Sequence, residues 1–182
     1  MSDPVPVTPP FDMVTLAEAK DHLRLTHSNE DALIAGLIAA VSQHLDGPEG
    51  TLGRAIMTQV WQESFDGFLS SMVLRVSPAT AVVSVSYTDG AGVDQTVTGA
   101  RIESSVGVSR LLPQIGTEWP EGEQVRVTYE AGYSDAPAAL KAAALLHIGT
   151  LYENRESVAE KAMALLPHGY HALVWPYRRC VV

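Results

Sequence analysis

The chain is short of several things that would assign it a chemistry. It has one cysteine, Cys180, in 182 residues; that excludes an internal disulfide and any zinc site built from several thiolates. Cationic side chains are scarce, with 12 Lys and Arg against 21 Asp and Glu, for a formal charge of −9. A dedicated duplex-DNA binder needs a basic stripe to neutralise phosphate, and this composition does not supply one. No uninterrupted apolar run reaches the roughly 20 residues of a membrane-crossing helix. The opening MSDPVPVTPP has neither the basic nor the apolar region of a signal peptide, so the expectation is a soluble protein made in a cytoplasm. The G-x-S-x-G elbow, the P-loop and the dinucleotide fingerprint are missing. What the chain does have is 46% apolar residues at a mean hydropathy of +0.07, enough to bury a core of domain size.

Residues 1–12 contain Pro4, Pro6, Pro9 and Pro10 and are expected to form a flexible or extended arm. Thr15 stands three residues before Glu18, the spacing of a capping box, and predicts a short helix over LAEAKDHLRL. Ser28 and Asn29, followed by Glu30 and Asp31, signal a second helix start. From there Leu33, Ile34, Leu37, Ile38, Val41 and Leu45 recur at helical spacing until Asp46-Gly47-Pro48 stops the run. The period then changes. IMTQVWQESF, MVLRV, AVVSVSYT, QTVTG, SRLLP and QVRVTYEAGY are short, rich in β-branched residues and separated by turn signals such as Ser77-Pro78, Asp89-Gly90 and Trp119-Pro120. Helical spacing resumes after Asp135-Ala136-Pro137, with Leu140, Ala143, Ala144, Ile148, Leu151 and Tyr152 on a wide apolar face. Ser157 and Glu160 form another capping-box pattern, opening a short last helix that Pro167 ends. The fold class expected is α+β: a small helical bundle (13–51 and 134–167) with an antiparallel β insertion (52–133) between its second and third helices, and a C-terminal tail (168–182).

The densest polar cluster is Glu153, Asn154, Arg155 and Glu156, at the junction of two predicted helices. Glu153 and Glu156 could be imagined as an acid–base pair, but Arg155 between them would keep both ionised, and a working pair needs environments that push its pKa values apart. Helix ends want polar partners in any case. A structural or subunit-interface role is therefore the reading for Glu153, Arg155 and Glu156, with Arg155 able to bridge carboxylates of a neighbouring subunit. His168 and His171 are close in sequence, but no third ligand stands nearby. His22, His27, His44 and His147 are scattered, and His147 reads as a packed core residue. No catalytic residue, metal or cofactor is expected. The stretch HALVWPYRRCVV has two readings. It is a tail folded over the core, or a segment whose Trp175, Tyr177, Arg178 and Arg179 dock into a partner, since Trp, Tyr and Arg dominate interface energies. In the second reading Gly169 and Pro176 deny it a regular element, and it is mobile until it docks.

Three stretches, VTLAEAKDHLRL followed by EDALIAGLIAAVSQHLDG, then YTDG…WP…VRVTYEAGY, then PAALKAAALLHIGTLYENRE, together resemble the head–tail connector (adaptor or head-completion) family of tailed phages and phage-like gene transfer agents. The resemblance runs from residue 13 to about 167. It implies a structural particle protein, not an enzyme, assembled in the host bacterial cytoplasm. It further implies a twelve-fold ring of this chain below the portal protein, with a tail-side stopper or tail-terminator protein on the other face and DNA passing through the lumen. The residues agree with it: an acidic conduit does not hold phosphate, and no site for a reaction is evident. The resemblance would make the portal the partner of Trp175, Tyr177, Arg178 and Arg179. A rival of another class is a β-module that binds a surface ligand such as a glycan, which exposed aromatics clustered on the β-unit would favour, but Tyr87, Trp119 and Tyr129 sit where core or strand-end roles suffice. A second is an enzyme using a glutamate of the YENRE cluster.

Overall fold

A computed structural model of the chain describes residues 3–105, 107–154 and 168–179. The class is α+β, with four α-helices and two antiparallel sheets among the described residues. The chain divides into two compact units, residues 1–11 with 57–134, and residues 12–56 with 135–182.

In the first unit, strands β1 (Val5–Thr8), β2 (Gln59–Gly67), β4 (Ala79–Thr88), β5 (Asp94–Thr96) and β8 (Glu123–Ala131) form a sheet of order β1-β2-β8-β4-β5. Strands β3 (Met72–Leu74), β6 (Arg101–Ser105) and β7 (Val108–Leu112) form a second sheet of order β3-β7-β6. Period-two alternation sets which residues face inward. Along β2, Gln59, Trp61, Glu63 and Phe65 are buried, and across the ladder Trp61 pairs with Tyr129, Glu63 with Val127 and Phe65 with Val125. Met72, Leu74 and Leu111 of the smaller sheet are buried as well. Gly132 closes β8 at φ +102, and a Cβ there would lie 2.3 Å from the Met57 carbonyl oxygen. Only glycine fits so close an approach.

Among the described residues, one acidic side chain lies inside this core. Glu63 is fully buried; its Oε1 accepts from the Arg75 backbone N–H at 2.8 Å and from the Tyr129 hydroxyl in a short hydrogen bond. The Tyr129 hydroxyl in turn accepts from the Val76 backbone N–H at 3.2 Å. A buried carboxyl needs such partners, because leaving it unmatched costs several kcal/mol. The bonds tie β2 and β8 to the segment that follows β3.

The second unit holds α1 (Leu16–Leu23), α2 (Asp31–Leu45), α3 (Ala138–Glu153) and α4 (His168–Val174), the last followed by a 3-10 turn over Trp175–Tyr177. The first capping box forms as expected: Thr15 Oγ1 accepts from Glu18 N–H at 3.2 Å, and Glu18 Oε2 accepts from Thr15 N–H at 2.7 Å. Helix α2 starts two residues after the Ser28-Asn29 signal and has no side-chain cap. Ile34, Ile38, Val41 and Leu45 are its buried stripe. Helix α3 packs on α1, α2 and α4. Apart from Ala138 and Glu153 its residues are buried or half-buried, as an apolar pattern on all sides requires. Its alanine-rich face is thus used within the unit, with Ala143 and Ala144 fully buried.

Two expectations need correction. The proline-rich start is expected as a flexible or extended arm; it is extended but not free, since Val5–Thr8 pairs antiparallel with β2. As an outermost strand, β1 needs donors toward one neighbour only, so proline is tolerated there. The tail is expected to lack a regular element, yet His168–Val174 is helical, with Tyr170 and Val174 buried. Gly169 falls in the first turn, and Pro176 falls in the 3-10 turn after the helix. Neither position requires the interior hydrogen bond that glycine weakens and proline removes. The expected helix over 157–167 lies outside the described residues.

Candidate functional site

Helix α3 ends at Glu153, and Asn154 caps it by donating from both its backbone N–H (3.1 Å) and its Nδ2 (2.8 Å) to the Thr150 carbonyl. Tyr152, one residue before the polar cluster, donates its hydroxyl to the Glu30 carboxylate at the start of α2. This partner was not evident in the sequence, because 122 residues separate the two. Glu153 is exposed. Arg155 and Glu156 lie outside the described residues, so the cluster is represented by Glu153 and Asn154.

The C-terminal residues divide by function of position. Tyr170 and Val174 anchor α4 within the unit, while Trp175 is 71% exposed. Tyr177 is half-buried and Arg178 exposed. The Arg179 backbone N–H donates to the Leu52 carbonyl at 2.9 Å, which fixes the end of the segment. An exposed indole held on a fixed turn loses little conformational entropy on binding, and aromatic anchors of this kind dominate interfaces.

The anchor includes two imidazoles. His147 of α3 meets His44 of α2 edge-on at 5.4 Å between ring centroids, and meets Tyr170 of α4 in the same manner at 5.4 Å. His44 Nε2 is 3.0 Å from Thr51 Oγ1. Burial, and secondarily the charge of His44, holds His147 below the usual histidine range, while burial pushes the Tyr170 phenol up. His147 is packed, as expected, but it is half-buried and its Nδ1 has no hydrogen-bond partner among the described residues. No group of three or more metal-ligating side chains occurs among the described residues.

A second feature lies in the β unit. Phe68 stacks on Trp119 at 5.0 Å with 17° between planes, and meets Tyr87 edge-on at 5.3 Å. Beside this trio opens a cleft of about 310 Å³, with Tyr87 and Trp119 on its wall and Thr96, Thr98, Gln114 and Glu118 among its polar lining. The three rings come from distant stretches, so no local spacing could have announced them.

Residues 13–86 match the family model of the phage gp6-like head-tail connector protein. Among solved structures, the chain is similar to one in the virion of a native gene transfer agent particle (24% identity, TM-score 0.72). It is also similar to chains in the neck of the empty particle computed with C6 symmetry (24%, 0.71) and of the native particle computed with C12 symmetry (23%, 0.67). Each of these matches covers 100% of this chain and 97% of the other. No curated protein matches significantly. The resemblance drawn from the residues is thus carried in sequence by 13–86, and in fold by the whole length of the chain.

Proposed function

We propose that this chain is a structural head–tail connector of a phage or phage-like gene transfer particle, sitting at the particle neck. The observation that carries the reading is the sequence match to head-tail connectors over residues 13–86, which includes α1 and α2. The full-length likeness to a chain of a gene transfer agent neck supports it. In this reading the helices form the adaptor core, and strands β2 to β8 are an insertion between α2 and α3. Copies assemble as a twelve-fold ring below the portal, with a stopper or tail-terminator protein on the tail side. Ring subunits meet head to tail, so one surface must complement another. Helix α2 leaves Ala32, Ala35, Ala39 and Ala40 exposed beside Leu33, and small side chains let a neighbouring helix approach closely. Glu153, Arg155 and Glu156 serve as ion-pairing residues between subunits. Trp175, Tyr177, Arg178 and Arg179 face the portal. The charge of −9 keeps passing DNA from adhering.

The test is particle assembly with the double substitution Trp175→Ala, Arg178→Ala. Both side chains are exposed, so the purified variant should keep the wild-type circular dichroism and melting temperature. Electron microscopy should then show filled heads without tails. Tailed particles at wild-type yield would remove the portal-facing role, and Arg155→Ala with normal yield would remove the subunit-contact role.

A further inference from the structure

We propose that the cleft beside Trp119 binds a neutral sugar ring, a hexose or hexosamine unit of a glycan. The proposal does not depend on the connector reading, since the cleft is formed within the β unit of a single chain. Its volume, about 310 Å³, is at the lower end of small-molecule sites and suits one or two rings. Sugar recognition combines an aromatic wall, against which the apolar C–H face of the ring lies, with side chains that exchange hydrogen bonds with its hydroxyls. Both parts are present. Tyr87 and Trp119 supply the wall, and their contacts with Phe68 hold them in place before any ligand arrives. Thr96, Thr98, Gln114 and Glu118 supply hydroxyl, amide and carboxylate partners and are all exposed.

One backbone detail fixes the polar side. Gly99 has φ +88, and a Cβ there would lie 2.3 Å from Gln114 Oε1. The missing side chain is the space that the Gln114 amide occupies, so the amide is seated in the cleft wall. Charge narrows the ligand class. Among the described residues Glu118 is the one charged side chain lining the cleft, and the chain as a whole carries −9. An acidic sugar would meet repulsion at Glu118. A nucleotide could stack its base, but its phosphates would meet the same carboxylate without a cation to receive them.

The experiment titrates the full chain, labelled with nitrogen-15, with maltohexaose, cellopentaose and chitotetraose, and with polygalacturonate as the acidic comparison. At least one neutral probe should shift the Trp119 indole N–H signal and the amides of residues 96–99, saturating in the millimolar range or tighter. Gln114→Ala combined with Glu118→Ala alters two exposed side chains, and should keep the wild-type spectrum elsewhere while weakening that binding roughly tenfold or more. No shift with any neutral probe overturns the proposal. So do shifts that persist unchanged in the double variant, or tighter binding of polygalacturonate than of the neutral probes.

Discussion

Replacing Tyr170 isolates what holds the C-terminal segment. The residue is 2% exposed, and its ring lies 5.4 Å from that of His147 and 5.5 Å from that of His171. Truncation to alanine removes the ring and leaves a cavity between α3 and α4, a change that costs about 3–5 kcal/mol for a large aromatic. The hydroxyl is a separate matter. It is buried and has no hydrogen-bond partner among the described residues, so Tyr170→Phe should change stability by less than about 1 kcal/mol and could increase it. With a urea slope of about 2 kcal/mol/M for a chain of this size, alanine should lower the midpoint by about 2 M while phenylalanine leaves it nearly in place. Circular dichroism at the helical band reads the unit that contains the four described helices. A midpoint shift below roughly 0.5 M for alanine would refute the packing argument, because that is under half of what the smallest expected loss gives. Equal losses for alanine and phenylalanine would instead place the energy in the hydroxyl. Ending the chain before residue 168 removes the same anchor together with Val174, and should also destabilise the helices. That reverses the expectation for a free tail.

His147 gives a pH dependence of known sign: its folded-state pKa is depressed, so its contribution is complete above the ordinary value near 6.5 and is lost as pH falls through the interval down to the folded value. His147→Phe should flatten that part of the stability profile in denaturation at stepped pH, and an unchanged profile would count against the assignment. Thr15→Ala removes the hydroxyl that accepts from the Glu18 N–H, while the Thr15 N–H keeps its bond to the Glu18 carboxylate; it should cost about 1 kcal/mol, seen as a lower melting temperature. Tyr129→Phe deletes the bridge between Glu63 and Val76 and should cost about 1–3 kcal/mol in denaturant unfolding. Glu63→Ala should cost more, since it also strips the acceptor from the Arg75 N–H and opens a cavity.

The helices with strong local signals were legible. Thr15 and Glu18 announce α1, the Ile34–Ile38–Val41–Leu45 stripe announces α2, and the apolar run after Pro137 announces α3. Each signal sits within a few residues of the structure it causes. The strands rich in valine and threonine were legible for the same reason. What escaped depends on distance or on edges. Strand β1 holds prolines that read as an arm, and β6 is polar and largely exposed, so neither shows the alternation of a half-buried strand. Helix α4 is short and bounded by Gly169 and Pro176, whose positions at its ends cannot be known before the helix is. Glu63 looks like any strand carboxylate until Tyr129, 66 positions later, is folded against it. Of the site residues, Trp175 is exposed, whereas the cleft was invisible because Phe68, Tyr87 and Trp119 converge only through sheet topology.

The pairing of β1 with β2 has a practical consequence. Residues 1–11 belong to the β unit, although the chain passes through α1 and α2 before returning to it. An expression clone begun at the first recognisable helix, or one that isolates residues 57–134, would discard that strand. The N–H and C=O groups of β2 that β1 now occupies would become an open template. Unpaired strand edges recruit one another between molecules. Pro6, which stands opposite Trp61, closes the ladder with a residue that cannot extend it on the donor side. Trimming the amino terminus to improve behaviour in solution should therefore have the opposite result, because the freed β2 edge promotes self-association.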